Sequence, residues 1–313
     1  PFTEQYMAII LLGAPFQKAS FTLNSQLRMQ GNARYAMWGI ISGALLNVVL
    51  DPILIFGCGL QLRGAAIATV IGQIVSVAVL LAMCHFRATT GVRLRPRFFS
   101  LHWHYVREIV YGGSPSLSRQ GLASISVVLL NVAAAGYGDA AVAAMSIVSR
   151  VTMFVMAVIV GLGQGFQPFC GYCYGAALYN RLRHGFWFTV RVGFIFLLCF
   201  SAFFFCFAEQ TIAVFRDDAI VIAVGSTALR WHLAVYPLNA YIMAGNMMLQ
   251  TTRRPLRANV LSSARRGLVF IPFILILPHL FGLMGIAMCQ AVCDVVTFII
   301  AIPIVRSAFR EMT

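Results

Sequence analysis

The sequence predicts an all-α fold in which a bundle of helices crosses a membrane several times. The chain has 313 residues, of which 60% are hydrophobic and 10% are charged, and its mean hydropathy is +0.84. About a quarter of the residues of a soluble domain are charged, so this chain has too few charges to cover a surface in water. Its apolar runs reach the length of a membrane helix and lack the period-two alternation of a β-barrel.

Polar breaks, many of them with Gly or Pro, divide the apolar runs into nine predicted helices. In chain order these helices span residues 6–27, 35–56, 64–85, 109–136, 140–168, 186–208, 219–249, 258–280 and 284–305. The first of them carries Gln17, Lys18, Asn24 and Gln26 in its second half. Because polar side chains are costly in lipid, we expect this helix to face a protein cavity.

Arginines are concentrated in every second connection between the predicted helices. The net charge of +14 could indicate a nucleic-acid partner, but basic residues are also typical of the cytoplasmic ends of membrane helices. The arginine-rich connections contain Arg28 and Arg34, then five arginines from Arg87 to Arg107, then Arg181 and Arg183, then Arg253, Arg254 and Arg257, and finally Arg306 and Arg310. This alternation predicts that these connections and the C-terminus are cytoplasmic, and it argues against a nucleic-acid partner.

The longest polar stretch divides the chain into two lobes. Residues 1–85 carry three predicted helices, residues 86–108 form a predicted cytoplasmic linker, and residues 109–313 carry six predicted helices. The first three helices can be laid over the last three with a shift of about 220 residues, which brings Pro52 onto Pro272. Such internal repeats are common in transporters. Since the second copy has three further helices ahead of it, the repeat predicts three more helices ahead of residue 1.

Asp51 is the strongest candidate for a functional residue inside the membrane. Asn47 precedes it by four residues and therefore shares its helix face, and Pro52 leaves the Val48 carbonyl without a helical donor. Thr69 lies at a similar depth in the next helix. Carboxylate, amide, hydroxyl and carbonyl oxygens suit Na⁺, or a proton held on Asp51. The alternative is a cluster of hydrogen bonds between helices without an ion.

Other polar side chains lie in the predicted helices among methionines and aromatic residues, as expected for a cavity that accepts varied apolar molecules. The candidates for such a substrate cavity are Arg119, Gln120, Asn131, Gln164, Asn239, Asn246 and Asp294. For any one of them the alternative is packing between helices. Asp294 could hold a cation or pair with a neighbouring arginine.

No cofactor is predicted, and no metal beyond a coupling Na⁺ at Asn47, Asp51 and Thr69. Cys170 and Cys173 have the spacing of a redox or metal motif, but no histidine or second pair of this kind accompanies them. The other cysteines are mostly in or next to apolar runs, where cysteine behaves as a small hydrophobic residue.

Several segments resemble the MATE (multidrug and toxic compound extrusion) family, in its DinF/MepA-like branch. Residues 28–34 (RMQGNAR), 47–56 (NVVLDPILIF) and 64–69 (GAAIAT) look like the fourth to sixth helices of such a transporter. Residues 113–120 (GSPSLSRQ) and 161–168 (GLGQGFQP) are similar to the start of its second lobe and to its eighth helix. The resemblance covers the whole chain, and its most specific part is residues 47–69.

The resemblance implies a two-lobe bundle of twelve helices, of which this chain holds nine, in the bacterial cytoplasmic membrane. Relatives exchange H⁺ or Na⁺ for small, often cationic, organic drugs, and this implies a monomeric multidrug antiporter that is not an enzyme. In this branch the positions that match Asn47, Asp51 and Thr69 bind the cation together with an Asp of the first helix, which is not in this chain. The NorM-like branch uses a Glu in the second lobe to bind its cation. This chain lacks that Glu, because Pro115 is followed by Arg119, Gln120 and Ala123 instead.

Two other functions stay open at this point. A flippase for lipid-linked oligosaccharides of the same superfamily would need arginines for a pyrophosphate, and the candidates are Arg119, Arg150, Arg230, Arg265 and Arg266. An integral membrane enzyme would need a cluster of His, Asp or Glu on the cytoplasmic side for metal or acid–base chemistry. The sequence contains no evident cluster of this kind.

Overall fold

A computed structural model describes residues 2–86 and 102–312, and over these residues the chain is helical without β-strands. The chain forms two compact units, residues 1–100 and 101–313. The all-α fold predicted from the apolar runs is therefore confirmed.

The first unit consists of three antiparallel helices around a small core. These are α1 (Phe2–Met29), α2 (Ala33–Pro52), which continues into a π-helical turn (Ile53–Gly57), and α3 (Gln61–Phe86). Gly31, with φ +81°, makes the turn between α1 and α2, a conformation that glycine adopts without strain. The buried apolar cluster is formed by Leu23, Leu27, Ala36, Leu80 and Cys84.

The second unit contains the remaining helices, several of which are joined end to end within one membrane-length segment. In chain order they are α4 (Trp103–Ala135), α5 (Asp139–Gly175), α6 (Tyr179–Cys206), α7 (Ala208–Phe215), α8 (Ala219–Val235), a 3-10 turn (Tyr236–Leu238), α9 (Asn239–Thr251), α10 (Pro255–Ser263), a π-helical turn (Ala264–Leu268), α11 (Phe270–Phe281) and α12 (Leu283–Arg310). Its large buried cluster joins side chains of α5, α8, α11 and α12, so the core runs through the middle of the unit.

Eight of the nine predicted membrane helices are long and apolar enough to span a bilayer. They span Ala33–Gly57, Gln61–His85, Trp103–Ala135, Asp139–Gly175, Tyr179–Cys206, Ala219–Thr251, Pro255–Phe281 and Leu283–Arg310. The ninth, α1, is helical over all of its 28 residues. Its charged and amide side chains lower its apolarity, as the polar residues in its second half predicted.

Several predicted helix ends are wrong by a turn or more. Helix α6 begins at Tyr179 rather than at residue 186, and α4 begins at Trp103, inside the predicted linker. Arg181 and Arg183 are therefore on a helix and not in a loop. An apolar run predicts only the segment of a helix that is apolar enough to lie in lipid. Helix α6 extends beyond its run because residues such as Leu182 are buried against the rest of the unit. Residues 87–101, most of the predicted linker, lie outside the described residues.

A pair of hydrogen bonds supports the internal repeat. The amide of Asn24 in α1 donates to the carbonyl of Ala36 in α2 at 2.7 Å. The amide of Asn246 in α9 donates to the carbonyl of Ala258 in α10 at 3.1 Å. The two donors are 222 residues apart, and so are the two acceptors. The same side chain thus makes the same link between helices in both units, in agreement with the predicted shift of about 220 residues.

A close helix contact also recurs in both units. A Cβ atom at Gly64 would lie 2.7 Å from the carbonyl oxygen of Leu54, and a Cβ atom at Gly285 would collide with the carbonyl oxygen of Leu277. Only glycine allows these backbones to approach so closely. The repeat therefore pairs α1 with α8–α9, α2 with α10–α11 and α3 with α12. Equivalent residues of the two helix groups can thus be compared.

Candidate cation site and substrate-cavity residues

An open cavity of about 220 Å³ lies among the three helices of the first unit, and polar side chains form part of its largely apolar lining. Its polar lining side chains come from α1, α2 and α3 and are Gln17, Ser20, Asn47, Thr69, Gln73 and Ser76. Three helices thus place amides and hydroxyls around one cavity, as is typical of functional sites in membrane proteins.

Two glycines position this cavity. A Cβ atom at Gly43 in α2 would collide with the carbonyl oxygen of Gly72 in α3, and one at Gly72 would lie 2.8 Å from the carbonyl oxygen of Gly43. The two helices touch here through their backbones. Asn47 follows Gly43 by one helical turn, and Thr69 precedes Gly72 by about one turn, so in antiparallel helices their side chains face each other.

The structure brings together the three residues of the predicted cation site. The Nδ2 atom of Asn47 donates to Oδ1 of Asp51 at 3.4 Å and to Oγ1 of Thr69 at 3.5 Å. The hydroxyl of Thr69 in turn donates to the carbonyl of Ala65 at 2.9 Å. All three side chains are half-buried. The amide nitrogen therefore lies between a carboxylate oxygen and a hydroxyl oxygen, where both distances are long for hydrogen bonds.

Asn47 and Thr69 line the cavity and Asp51 does not, and the lining includes further polar side chains that were not predicted as part of the site. The Oε1 atom of Gln73 is buried and has no hydrogen-bond partner among the described residues. Ser20 and Ser76 share a hydrogen bond of 2.7 Å. Gln73 follows Thr69 by four residues and so lies on the same helix face. This spacing is the signal in the sequence that could have identified it.

In the second unit, Asp294 is completely buried and its carboxylate accepts four hydrogen bonds. Arg265 donates from Nε at 2.7 Å and from Nη2 at 3.3 Å, Asn239 donates at 2.8 Å, and Gln290 donates at 3.1 Å. The Nε2 atom of His232 lies 3.9 Å away. Of the two roles that the sequence left open for Asp294, the structure supports the pair with an arginine.

The other candidates for a substrate cavity lie in different surroundings. Asn246 donates to the Ala258 carbonyl and to the Ser262 hydroxyl at 2.8 Å, and this favours the interpretation as a link between helices. Arg119 and Gln164 are half-buried, whereas Gln120 and Asn131 are exposed. A substrate cavity formed by all seven candidates remains a prediction.

A cluster of ion pairs that the sequence did not indicate joins the start of α10 to the end of α12. The carboxylate of Glu311 lies 2.8 Å from Arg254 and 2.6 Å from Arg257, and Ser307 donates to it at 3.2 Å. The hydrogen bond from Arg257, followed by the charge of Arg254, holds the pKa of Glu311 below its ordinary value. Glu311 lies outside the membrane-length segments.

Cys170 and Cys173 are buried free thiols. Within residues 2–86 and 102–312, no three or more His, Cys, Asp and Glu residues are grouped in a way that could hold a metal ion.

The described helices define a polytopic, all-helical membrane protein built from two related helix groups. The MatE family profile matches residues 115–276, slightly more than half of the chain. The chain therefore belongs to the MatE family.

Known members of the family agree with this assignment. The chain is 28% identical to the multidrug export protein MepA of Staphylococcus saprophyticus over 97% of its length and 67% of that protein. It is also 28% identical to MepA of Staphylococcus aureus over 91% of its length and 62% of that protein. It thus spans about two thirds of the length of these relatives.

A solved structure confirms the fold. The outward-facing conformation of a multidrug resistance MATE family transporter superposes on 98% of this chain with a TM-score of 0.91 and 26% identity, and the match covers 69% of that transporter. The fold of this chain is therefore that of the MATE transporters.

Proposed function

We propose that the protein is a transporter that exports small organic, often cationic, molecules from the bacterial cytoplasm. Export would be driven by the entry of H⁺ or Na⁺ in alternating access, and the coupling cation would bind at Asn47, Asp51 and Thr69. Membership of the MatE family and the likeness to the MepA multidrug export proteins support the class of transport. Transport of this kind breaks no covalent bond, so we infer that the protein is not an enzyme and needs no cofactor.

The position of the Asn47 amide carries the assignment of the cation site. Its nitrogen lies 3.4 Å from the carboxylate of Asp51 and 3.5 Å from the hydroxyl of Thr69. A donor that lies between two oxygens occupies the place that a cation would take. When the amide rotates, it presents its own oxygen instead, and the three side chains then offer the hard oxygen ligands that Na⁺ prefers. A proton on Asp51 would neutralise the same carboxylate.

The unpaired oxygen of Gln73 strengthens this assignment. A buried polar atom without a partner costs about 1–3 kcal/mol, and such atoms are rare unless a ligand or water satisfies them. Gln73 and Thr69 both line the cavity. An ion held between this cavity and Asp51 would therefore be offered a further oxygen ligand, one that has no partner among the described residues.

We infer that the second unit contributes no coupling-cation site at Asp294. Its carboxylate is already neutralised by the guanidinium of Arg265 at 2.7 Å. We place the substrate-binding residues among Arg119, Gln120, Asn131 and Gln164, which are not engaged in that network. The methionine-rich helix α9 would form an adaptable wall for varied apolar molecules.

No specific observation favours the flippase alternative. Of the five arginines that could hold a pyrophosphate, Arg265 is paired with Asp294 and Arg230 with Glu209 at 3.1 Å. We therefore infer a monomeric exporter that contacts the bilayer and drug-like substrates, with no nucleic-acid partner. Its arginine-rich connections are expected to face the cytoplasm.

Substitution of Asp51 tests the proposal. In cells or liposomes with an imposed pH or Na⁺ gradient, Asp51→Asn should abolish the efflux of a fluorescent organic cation, because the variant loses the charge that binds the coupling ion. Asn47→Ala should weaken coupling less, since it removes one neutral ligand. The matched control is Asp217→Asn, which makes the same chemical change at an exposed position and should leave efflux unchanged.

The amount of inserted protein should be equal for all variants in the membrane fraction. Gradient-driven efflux by Asp51→Asn at the wild-type rate would refute the proposed cation site.

A further inference from the structure

Two arginines in the second unit, Arg119 and Arg266, have guanidinium groups that make no hydrogen bond or ion pair with any of the described residues. Both residues are half-buried. Both also lie near the middle of a membrane-length segment, which is Trp103–Ala135 for Arg119 and Pro255–Phe281 for Arg266. A charged side chain at this depth is costly, and such residues usually mark functional positions in membrane proteins.

The two arginines belong to one contact between helices. Arg266 lies in the π-helical turn, a feature that is frequent at functional sites. The hydroxyl of Ser126 in α4 donates to the Arg266 carbonyl, and a Cβ atom at Gly267 would lie 2.6 Å from the side chain of Leu122 in α4. Arg119 precedes Leu122 by three residues and Ser126 by seven, so it shares their helix face. Arg119 therefore lies on the face of α4 that packs against the turn.

The charges at this contact are not balanced. Asp294 is the carboxylate that acts on Arg266 through its charge, but Asp294 forms its ion pair with Arg265, which donates to both of its oxygens. One carboxylate neutralises one guanidinium. Arg119 and Arg266 thus bring positive charge into the second unit that no described carboxylate pairs with.

The internal repeat places Arg266 at the lining of a cavity. At an offset of 222 residues, Arg265 and Arg266 correspond to Gly43 and Ala44, which both line the open cavity of the first unit. In the second unit Arg265 is buried against Asp294, whereas Arg266 is only half-buried. Arg266 is therefore the arginine of this pair that a ligand can reach.

We propose that Arg266, together with Arg119, binds the acidic group of an exported molecule, so that the substrates include zwitterions with a carboxylate beside their cationic group. This inference rests on the proposed export function and names a substrate class for it. A guanidinium presents parallel N–H donors that match the two oxygens of a carboxylate. A carboxylate bound here would neutralise a charge that the protein itself leaves unbalanced.

Fluorescence polarisation of the detergent-purified protein tests the proposal with two probes, a rhodamine dye that carries a free carboxylate and the ethyl ester of the same dye. The probes share the cationic ring system and differ in the negative charge. We expect the wild type to bind the acid about tenfold more tightly than the ester, as hydrogen bonds between charged groups allow. Arg266→Gln should remove most of this preference. Arg266→Lys should remove less, because lysine keeps the charge but loses the paired donors.

The matched control is Arg150→Gln, which removes an exposed arginine of the same unit and should keep the preference for the acid. Equal binding of both dyes by the wild type, or a full preference in Arg266→Gln, would overturn the inference. Displacement of the acid by dihexanoyl-phosphatidic acid but not by benzoate would assign the arginines to a lipid phosphate and would also overturn it.

Gradient-driven efflux of the ester by the wild type, measured in parallel, separates this inference from the proposed function. Without such efflux the export function itself would be refuted. Efflux of the ester together with equal binding of the two dyes would refute only the site for the acidic group.

Discussion

The two related helix groups differ most in the side chains that lie between their helices at three equivalent positions. In the first unit, Gln17, Gly43 and Gln73 line the cavity of about 220 Å³. The α2 and α3 backbones touch at Gly43, and the carboxylate of Asp51 lies next to the cavity lining, in contact with Asn47.

The corresponding positions in the second unit, at offsets of 221 or 222 residues, are Asn239, Arg265 and Asp294. Here an arginine stands where the first unit has a glycine, and its guanidinium pairs with the carboxylate. One helix group thus leaves a cavity open, while the other has the guanidinium of its own Arg265 at the equivalent position. Two copies of one helix arrangement can therefore have different roles. In our account the first offers a site for an ion that binds and leaves, whereas the second holds a permanent ion pair.

Breaking the permanent ion pair should have the largest effect on stability. Arg265→Met leaves the buried Asp294 carboxylate without its cation, and removing one partner of a buried pair costs about 3–5 kcal/mol. Thermal unfolding in detergent should show a large loss. The double variant Arg265→Met with Asp294→Asn should recover most of it, since neither charge is then left alone.

Arg230 supplies the matched control for this experiment. It pairs with Glu209 at 3.1 Å, but its side chain is 40% exposed, and exposed pairs contribute about 0–1 kcal/mol. Arg230→Met should therefore have a small effect. If Arg265→Met were as mild as Arg230→Met, the second unit would not depend on its internal cation.

The backbone contact in the first unit should show an intermediate effect. A Cβ atom at Gly43 would collide with the Gly72 carbonyl, and overpacking of this kind costs about 1–3 kcal/mol. Gly43→Ala should lower the thermal stability and disturb the cavity beside the contact. Gly112→Ala, at a helical position with no atom within 4 Å of the added methyl group, should be neutral. Equal stability of the two variants would show that α2 and α3 do not touch at Gly43.

The smallest effect is expected at Glu311, which is outside both compared sites. Its pKa is held below the ordinary value of 4.5 by Arg257 and Arg254. The ion pairs therefore stabilise the folded state above that pH, and the contribution is lost as the pH falls through the lowered pKa. Glu311→Gln should unfold at a slightly lower temperature than wild type at neutral pH, with the difference vanishing in acid. A difference that persisted in acid would exclude the charge as its cause.

The sequence predicted the features that depend on periodicity and short spacing. The apolar runs located the helices, and the spacing of four residues between Asn47 and Asp51 placed both on one face. The short connection between α2 and α3 placed Thr69 opposite them, and the structure brings all three together. These relations are local, so they can be derived without knowledge of how distant helices pack.

The features that depend on packing could not be predicted in the same way. Arg265 and Asp294 are 29 residues apart on different helices, and only the helix contact shows which arginine pairs with the carboxylate. The start of α6 was missed because its first turns carry Asn180, Arg181 and Arg183. Helix α7 was missed because it has only eight residues and directly follows the apolar run of α6. The roles of the seven substrate-cavity candidates depend on contacts of the same long-range kind.

Infrared difference spectroscopy of carboxyl protonation, recorded on the protein as the pH is lowered with and without Na⁺, tests the central comparison most directly. Several carboxylates, Glu311 among them, contribute to such a spectrum, and we predict that one contribution is lost in Asp51→Asn and kept in the double variant Arg265→Met with Asp294→Asn. Na⁺ should suppress this contribution if Na⁺ and H⁺ compete for Asp51. A contribution that persists in Asp51→Asn and disappears in the double variant would place the mobile cation in the second unit and contradict this account.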